Sequence, residues 1–461
     1  MKLKEEDIEY LKNIVGEDNI YTDKAHKRAY SYDATRTFYE PDAVVFPRNE
    51  DDISKILSYC NDKGIVIVPR GAGSGFTGGA LPVNGGITLA MEKHMNKILE
   101  VDLENMLAIV QPGVINKDLQ RHVEELGLFY PPDPASEEYS TLGGNVSENA
   151  GGMRAAKYGL TKDYVMALRA VLPNGKIIRA GKKTIKDVAG YNTAGILIAS
   201  EGTLAVITEI TLKLIPKPKF VKSYMGIFPN VKSAMNAVFK SLASGANPVA
   251  MEFLDSLVVK AVQEKLGVDL PSDAGALLIG DVDGNVKEEV EFQLKTLQDS
   301  FKENGAIGFE IAEDKAKRDE LWKARRGASQ SITIYGSKKL NEDISVPRSK
   351  LPEALEEIYK IGKKYNFNVP CFGHAGDGNI HVNVMVDGSN PKELEDGHKA
   401  IKEIFELVVN MEGTLSGEHG IGLSKAEFMD IAFNESELEL FKRIKEAFDP
   451  NGILNPGKMG L

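Results

Sequence analysis

Glycine is concentrated in short tracts of this chain, and these tracts constrain the fold more than any other feature. The 461 residues include 44 glycines. The first tract spans residues 71–79 and follows an apolar run at 65–68 that predicts a buried strand. Successive glycines permit positive φ and let neighbouring backbone N–H groups converge on an anion. The sequence therefore predicts a phosphate-binding loop after a strand, and the alternative is a plain wide turn.

The first tract contains the pattern G-x-G-x-x-G, at Gly73, Gly75 and Gly78. In a Rossmann unit this pattern opens a helix whose N-terminus carries the pyrophosphate. Here Pro82 and the glycines at 85 and 86 follow, and such residues do not open that helix. A G-K-[S/T] triplet is also missing from the tract, which excludes a P-loop. We therefore expect a loop, rather than a helix end, to hold a dinucleotide diphosphate.

Two further tracts lie in the same half of the chain. Residues 131–152 begin with the stiff sequence Pro-Pro-Asp-Pro and continue with two glycine pairs and nearby asparagines. Residues 200–203, Ser-Glu-Gly-Thr, precede a predicted strand at 204–215. Small residues with short amide side chains suit a flat ligand that lies against the backbone. Each tract alone is compatible with ordinary loop sequence, but the three together favour one shared ligand site.

Charge and hydropathy exclude several classes of protein. The formal net charge is −11, so the chain lacks the basic footprint of a nucleic-acid binder. No apolar run approaches the ~18 residues that a membrane-spanning helix needs, and the N-terminus has no signal-peptide core. Two cysteines, Cys60 and Cys371, cannot form a disulfide framework and fit a reducing compartment. We expect a cytoplasmic protein, at most peripheral at the inner face of the membrane through a partner.

A change of composition at residues 213–219, which are basic and interrupted by prolines, predicts a domain boundary. Short strands and helices alternate over 1–215, whereas strands alternate with longer charged helices over 216–420. The second region therefore predicts an α+β domain with an antiparallel sheet. Residues 421–461 include an amphipathic helix at 435–448, which we expect to pack back on the first domain.

Two histidine-bearing segments near the C-terminus carry candidate metal ligands. Residues 373–384 predict a tight loop with His374 that runs into a strand, where period two places His381 and Asn383 on one face. Residues 416–422 contain adjacent Glu418 and His419. Two histidines and a carboxylate form a facial set for a divalent metal, and a histidine is also the usual base at neutral pH. Each histidine alone has a structural alternative, and Asp377 reads as a turn-forming residue rather than a ligand.

Arg325 lies on a predicted helix that also holds Trp322, the single tryptophan of the chain. A guanidinium group can bind a substrate carboxylate through two parallel hydrogen bonds. The alternative is a solvated basic helix face.

In chain order, the motifs PRGAGSGFTGG, PPDPAS, TLGGNVSENAGG, SEGTLAVIT, GHAGDGNIHVN, SGEHGIG and LNPGK run from residue 69 to residue 458. Together they resemble the FAD-linked D-2-hydroxy-acid dehydrogenases of the vanillyl-alcohol-oxidase superfamily, in particular the branch of glycolate oxidase FAD subunits and D-lactate dehydrogenases. The resemblance implies a two-subdomain FAD-binding domain of the p-cresol methylhydroxylase type over 1–215. It also implies an α+β cap over 216–420 that carries the substrate, and a C-terminal helical segment over 421–461 that returns to the FAD domain.

The resemblance also assigns roles to individual residues. It implies that His374, His381 and Glu418 bind a divalent metal (Zn, Mn or Fe), that His419 is the catalytic base, and that Arg325, Asn383 and His419 contact substrate. Asn341 replaces a lysine of members that recognise a second carboxylate, which favours a small monocarboxylate. No histidine occurs in 70–79, so the resemblance implies non-covalent FAD. The residues expected to contact FAD are Arg70, Gly71, Ala72, Gly73, Ser74, Gly75, Thr77, Gly78, Pro132, Asp133, Thr141, Gly144, Asn145, Asn149, Gly151, Gly152, Glu201, Gly202, Ile207 and Asn455.

The expected reaction is oxidation of D-lactate, glycolate or a similar small D-2-hydroxy acid to the 2-oxo acid, with hydride transfer to the flavin. By the same resemblance, electrons pass on to a quinone, an iron–sulfur partner or an electron-transfer flavoprotein. Two alternatives stay open, a flavin-free metal-dependent hydrolase and an FAD-binding electron-relay subunit of a larger complex. The sequence also leaves open whether the protein forms a homo-oligomer.

Overall fold

The computed structural model describes residues 3–271 and 273–461, which form two compact units. Unit 1 contains the described residues up to Gly152, together with Gly159–Lys217 and Glu418–Leu461. Unit 2 contains Met153–Tyr158 and Pro218–Gly417. The short segment Met153–Tyr158 therefore lies in unit 2, although the sequence placed it in the first domain.

The chain up to residue 217 forms many short elements, with 3-10 turns at Glu17–Asn19 and Thr161–Asp163. The elements are α1 (Glu5–Val15), β1 (Ile20–Tyr21), α2 (Lys24–Ala29), β2 (Ala43–Val45), α3 (Glu50–Lys63), β3 (Ile67–Arg70), β4 (Ile87–Ala90), β5 (Ile98–Asp102), β6 (Leu107–Val110), α4 (Asn116–Glu125), β7 (Leu128–Phe129), α5 (Leu142–Glu148), α6 (Ala155–Tyr158), β8 (Val165–Val171), β9 (Ile177–Gly181), α7 (Thr193–Leu197), β10 (Val206–Lys213) and β11 (Ile215–Pro216).

Local sequence explains where α3 begins and ends. The side chain of Asn49 accepts a hydrogen bond from the Asp52 backbone N–H at 2.9 Å, so Asn49 is the N-cap. The acidic residues Glu50, Asp51 and Asp52 form the first turn of the helix rather than its cap. Gly64 ends the helix in the left-handed conformation, at φ 65°.

Unit 1 contains two main sheets. The first has the order β1-β2-β4-β3, in which β4 pairs in parallel with both β2 and β3. Residues of α3 pack on these strands in one core, among them Ile56, Ile67 and Leu89. The second sheet, β5-β6-β10-β8-β9, is antiparallel throughout. Because β3 ends at Arg70, the first glycine tract begins at the carboxyl end of a parallel strand.

Unit 2 has one seven-stranded sheet with the order β15-β12-β14-β13-β17-β18-β16, antiparallel throughout. Buried residues of α9 and α11 share a core with one face of the sheet. The α+β prediction with an antiparallel sheet is therefore confirmed. The elements are β12 (Phe220–Phe228), α8 (Val231–Ala243), β13 (Ala250–Leu254), α9 (Ser256–Leu266), β14 (Ala276–Gly284), α10 (Lys287–Glu303), β15 (Gly308–Ile311), α11 (Lys315–Ser331), β16 (Lys338–Ser345), α12 (Leu351–Lys364), β17 (Cys371–His374), β18 (Asn379–Val386) and α13 (Pro391–Asn410).

The segment Met153–Tyr158 is anchored to the unit 2 sheet through Asp283 of β14. Lys157 Nζ donates to Asp283 Oδ1 at 2.5 Å, and the Tyr158 hydroxyl donates to Oδ2 at 2.8 Å. Asp283 is buried, so these contacts compensate its desolvation.

The chain ends in unit 1, with α14 (Met429–Ala432) and α15 (Glu435–Phe448). After α15, Leu454 forms a parallel bridge with Ile67 of β3. The buried Lys445 Nζ donates to Asp449 Oδ2 at 2.6 Å and to the Thr203 carbonyl at 2.8 Å. Over the described residues, no helix has the length and apolar character needed to cross a membrane.

Candidate active site

A pocket in unit 1 brings the three glycine tracts together. Of the residues expected to contact FAD, seven do not line it: Thr77, Gly78, Pro132, Asp133, Asn149, Gly152 and Asn455. The other expected residues do line the pocket: Arg70, Gly71, Ala72, Gly73, Ser74, Gly75, Thr141, Gly144, Asn145, Gly151, Glu201, Gly202 and Ile207. Four residues that were not expected to contact FAD also line it: Phe76, Glu148, Glu418 and His419.

The first tract forms an open loop with no helix behind it, which excludes the Rossmann arrangement. Gly73 has a φ of 67°, and a Cβ at Gly71 would lie 2.1 Å from Thr141 Oγ1, so both positions require glycine. Beside the loop, Arg70 Nη2 donates to the Tyr32 carbonyl at 2.8 Å, whereas Nη1 is buried without a partner. A buried guanidinium nitrogen next to a glycine loop fits the diphosphate of a dinucleotide.

The second tract is partly helical rather than a continuous loop. Thr141 Oγ1 accepts from the Gly144 N–H at 3.3 Å and caps α5, and Asn149 ends the helix at φ 53°. A Cβ at Gly143 would lie 2.5 Å from Pro112 Cβ, so this glycine allows close packing of the helix. Packing and capping thus override the low helix propensity of glycine.

Some of the residues that were expected to contact FAD lie behind the pocket wall and hold its segments together. Asn455 Nδ2 donates to the Gly79 carbonyl at 2.9 Å and to the Glu201 carbonyl at 2.7 Å, which fixes two tracts to each other. At Gly152, with φ 145°, a Cβ would lie 2.2 Å from the Asp133 carbonyl oxygen. These residues position the lining without forming it.

Glu201 holds the segment that carries His419. Its two carboxylate oxygens accept the backbone N–H groups of Ile421 and Gly422, each at 2.7 Å. Burial raises the pKa of Glu201, and these two N–H donors oppose that rise. The sequence predicted Glu201 as a cofactor contact, but both of its oxygens are bonded to this loop.

His419 itself lies at the pocket wall within unit 1. Its ring centroid is 5.2 Å from that of Phe76, and its backbone carbonyl accepts from Thr77 Oγ1 at 3.2 Å. The Thr77 carbonyl accepts the Leu423 N–H at 2.7 Å, which ties the first glycine tract to the loop that follows His419. The His419 side chain therefore lies in the wall of the glycine-lined pocket.

In unit 2, His374 ends β17 and His381 lies on the adjacent β18. The ring centroids are 5.2 Å apart, and ligand nitrogens of the two rings lie within 4.8 Å of each other. His374 Nδ1 is hydrogen-bonded to Glu252 Oε1 at 2.7 Å, which directs Nε2 to the other side of the ring. Asp377 Oδ1 accepts the Asn379 N–H at 3.1 Å, as a turn-forming residue does.

The sequence did not indicate Glu252, which contacts both the predicted carboxylate-binding arginine and one of the predicted metal-binding histidines. This fully buried residue of β13 accepts from Arg325 Nε at 2.7 Å through one oxygen and contacts His374 through the other. Arg325 is only 14% exposed and its guanidinium carbon lies 5.0 Å from the Phe372 ring centroid, so the alternative of a solvated helix face is wrong. The available signal was a single acid within the buried strand Ala250–Leu254.

Gly417 and Asn383 are both bonded to side chains of β16, the strand that pairs with β18. On β16, Asp343 pairs with His381, and Asp343 Oδ2 accepts the Gly417 N–H at 3.1 Å. This bond fixes the backbone of Gly417, the residue before Glu418. Asn383 Oδ1 accepts from Asn341 Nδ2 at 2.8 Å.

Comparison with protein families gives two matches along the chain. The family described as "FAD linked oxidases, C-terminal domain" matches residues 217–459, and "FAD binding domain" matches residues 41–181.

Curated relatives match almost the whole chain. It is 42% identical over 452 residues to the glycolate oxidase subunit GlcD of Bacillus subtilis (strain 168), covering 98% of this chain and 96% of the relative. It is 36% identical over 459 residues to the D-lactate dehydrogenase of Anaerostipes hadrus, covering 97% and 94%. It is 32% identical over 459 residues to the D-2-hydroxyglutarate dehydrogenase of Stutzerimonas stutzeri (strain A1501), covering 98% of each.

Solved structures share the fold at low sequence identity. A substrate-bound p-cresol methylhydroxylase matches with a TM-score of 0.81 at 18% identity, over 100% of this chain and 98% of that one. An alkyldihydroxyacetonephosphate synthase matches with a TM-score of 0.75 at 21% identity, over 99% and 86%. The predicted p-cresol methylhydroxylase type of fold is therefore confirmed.

Proposed function

This chain belongs to the FAD-linked oxidases, and from that premise we propose that it oxidises a small D-2-hydroxy acid, D-lactate or glycolate, to the 2-oxo acid. The observation that carries this proposal is the buried Glu252, which holds a carboxylate-binding arginine and a metal-binding histidine in one cluster. The names of two relatives, a glycolate oxidase subunit and a D-lactate dehydrogenase, support the same chemistry.

Arg325 binds the substrate carboxylate. A guanidinium group has five N–H donors in a planar fork, and only Nε is bonded to Glu252. The Glu252 contact fixes the orientation of the fork and keeps the arginine charge compensated before substrate arrives. Asn383, on the face of β18 that carries His381, is fully buried and donates to the Pro370 and His381 carbonyls, so we assign it to positioning His381 rather than to the predicted contact with substrate.

His374, His381 and Glu418 hold a divalent metal, Zn, Mn or Fe. The donor set fits, because two imidazoles and a carboxylate leave positions for substrate oxygens. Glu252 acts behind His374 as an outer partner that fixes the tautomer of the ring. When bound, such an ion lowers the pKa of a hydroxyl that coordinates it.

His419 removes the proton of the substrate hydroxyl, as its place at the wall of the glycine-lined pocket allows. The pocket holds FAD without a covalent bond from residues 70–79, which include no histidine. When bound there, FAD would supply the acceptor for the hydride that leaves C2 of the substrate. The electrons then leave to a quinone, an iron–sulfur protein or an electron-transfer flavoprotein.

The test is an anaerobic bleaching panel on purified protein reconstituted with metal. We expect a yellow protein whose flavin absorbance is bleached by D-lactate or glycolate, and not by L-lactate. EDTA treatment, or His381→Ala, is expected to slow bleaching by at least about 100-fold. His398→Ala, on α13, is the matched control. A colourless protein that cleaves a phosphoester or amide would favour the hydrolase, and a yellow protein that no hydroxy acid bleaches would favour the relay subunit.

The panel also includes D-2-hydroxyglutarate, because of one feature of β16. Lys339 lies on the same face as Asn341 and donates to Ser329 Oγ at 2.7 Å, one helical turn beyond Arg325. We expect monocarboxylates to be faster, since Asn341 bonds to Asn383 and adds no second cation. Faster bleaching by the dicarboxylate would overturn the small-substrate part of the proposal.

A further inference from the structure

Glu148 is the last residue of α5, and its side chain lines the glycine-lined pocket of unit 1. Within the described chain no group is hydrogen-bonded to its carboxyl, and Oε2 is buried without a partner. Buried polar groups in folded proteins are almost always paired, so an orphan at a pocket wall indicates a partner that is not part of the chain.

The first glycine tract and the segment 416–422 each have a glycine at the point where they contact the Glu148 carboxyl. A Cβ at Gly420 would lie 2.3 Å from Glu148 Oε2, and a Cβ at Gly79 would lie 2.8 Å from Oε1. Any other residue at either position would push the carboxyl out of its place. The surroundings therefore make room for this group but provide no hydrogen bond to it.

Glu201 lines the same pocket and, unlike Glu148, has hydrogen-bond donors for its carboxylate. Both of its oxygens accept backbone N–H groups, so Glu201 is the better stabilised anion of the two. Burial, then the Glu201 charge and then that of Asp33, raise the pKa of Glu148 well above its ordinary value. This shift favours the protonated form of the Glu148 carboxyl, whose O–H can donate a hydrogen bond.

We propose that the carboxylic acid group of Glu148 donates a hydrogen bond to the flavin dinucleotide bound in the glycine-lined pocket. The inference rests on the proposed FAD site and adds a contact that the sequence motifs did not indicate. A dinucleotide offers acceptors of the required kind, namely ring carbonyls, ring nitrogens, ribityl hydroxyls and phosphate oxygens. A protonated acid can approach any of them, whereas a carboxylate would be repelled by the diphosphate.

The experiment titrates FAD into the apoproteins of wild type, Glu148→Leu and Glu148→Gln, and also measures the melting temperature of each apoprotein. We expect Glu148→Leu to raise the dissociation constant for FAD about tenfold, because one hydrogen bond to the ligand is lost. The same variant should melt at or above the wild-type temperature, because it removes a buried polar group that has no partner in the apoprotein. Glu148→Gln keeps a donor and should bind FAD within about threefold of wild type.

Glu125→Leu, an exposed glutamate on α4, is the matched control and should change neither quantity. Wild-type affinity in Glu148→Leu, or a lowered melting temperature of its apoprotein, would show a structural role and overturn the inference. Equal losses in the Gln and Leu variants would show that a charged carboxylate is needed, and would overturn it as well. A wild-type protein that binds no FAD would overturn the proposed function together with this contact, so the two failures are distinguishable.

Discussion

The contacts of Glu201 in the structure differ from the cofactor contact that the sequence predicted for it. It has a positive φ of 50°, which is unfavourable for a residue with a side chain, and it is buried. That conformation is held because the carboxylate bonds to two consecutive N–H groups of the His419 loop, while the Glu201 carbonyl accepts from Asn455. We therefore expect Glu201 to position the proposed base rather than to contact the flavin.

Replacing Glu201 by Gln tests this role. The amide retains one acceptor oxygen, so one loop N–H loses its partner and the His419 loop becomes less fixed. We expect flavin bleaching by D-lactate to slow about tenfold or more, with the FAD dissociation constant within about threefold of wild type. Glu104→Gln, which is exposed, is the control. Weaker FAD binding with an unchanged bleaching rate per bound flavin would instead support the cofactor contact that the sequence indicated.

Among individual residues, the sequence predicted those that stand in a short motif with a known chemistry. It did not predict those whose role depends on a partner far away along the chain. Arg325, His374 and His381 stand in recognisable motifs. Glu252 stands in none of them, and Glu148 stands in TLGGNVSENAGG with no role predicted for it, because nothing in either segment says which group lies opposite the side chain. Glu252 meets His374 across 122 residues of chain, a separation that only the sheet order closes.

At the scale of elements, Asp255 joins three parts of unit 2. It caps α9 by accepting the Val258 N–H at 2.9 Å, and its other oxygen accepts the Cys371 N–H of β17 at 2.7 Å and the Tyr359 hydroxyl of α12 at 2.9 Å. Burial raises the pKa of Asp255 to about 6, with these donors opposing the rise.

This shift predicts a pH dependence of stability. Between the ordinary pKa of 3.8 and about 6, the folded protein keeps a proton that the unfolded chain has released. Folding therefore takes up a proton in this window, and stability falls as the pH rises. At ~1.4 kcal/mol per pH unit of full proton linkage, wild type should lose ~2 kcal/mol more than Asp255→Asn between pH 4 and pH 6, since the carboxyl is only partly titrated at the two ends of this window.

The single tryptophan, Trp322, lies in unit 2, so its fluorescence during urea unfolding reports the relevant transition. Asp269→Asn, an exposed position, should follow wild type at every pH. Parallel curves for wild type and Asp255→Asn would contradict the prediction.

Most strands and long helices could be predicted from periodicity, and the hairpin of β17 and β18 places His381 and Asn383 on one face as expected. The helix in the second glycine tract could not, since α5 combines the Thr141 cap with close packing of Gly143 against Pro112. That contact is between distant segments and leaves no local pattern.

At the scale of the whole molecule, unit 1 is assembled from segments at both ends of the chain. Leu454 extends the pairing at β3, and Asn455 and Lys458 donate to carbonyls of the segment 79–81 at 2.9 and 2.7 Å. The pocket therefore depends on residues far outside the region 41–181 that matches the FAD-binding family.

Deleting residues 450–461 should abolish FAD uptake, although all the glycine tracts remain. The reason is that Asn455 and Lys458, which hold the first tract, are lost together with the pairing to Ile67. Bound flavin, measured by absorbance after desalting, is the readout, and Leu440→Ser on the exposed side of α15 is the control. Stoichiometric flavin in the shortened chain would refute this dependence.

The return of the C-terminus to β3 also sets an order on biosynthesis. A ribosome translates the three glycine tracts first and then Pro218–Gly417 of unit 2. Asn455 and Lys458, which hold the first tract in place, are translated after both. We therefore expect the pocket of the nascent chain to stay incomplete until residues 454–458 can reach β3 and the first glycine tract. Synthesis of the glycine tracts alone should therefore not suffice for cofactor insertion, which should wait for the segment 454–458.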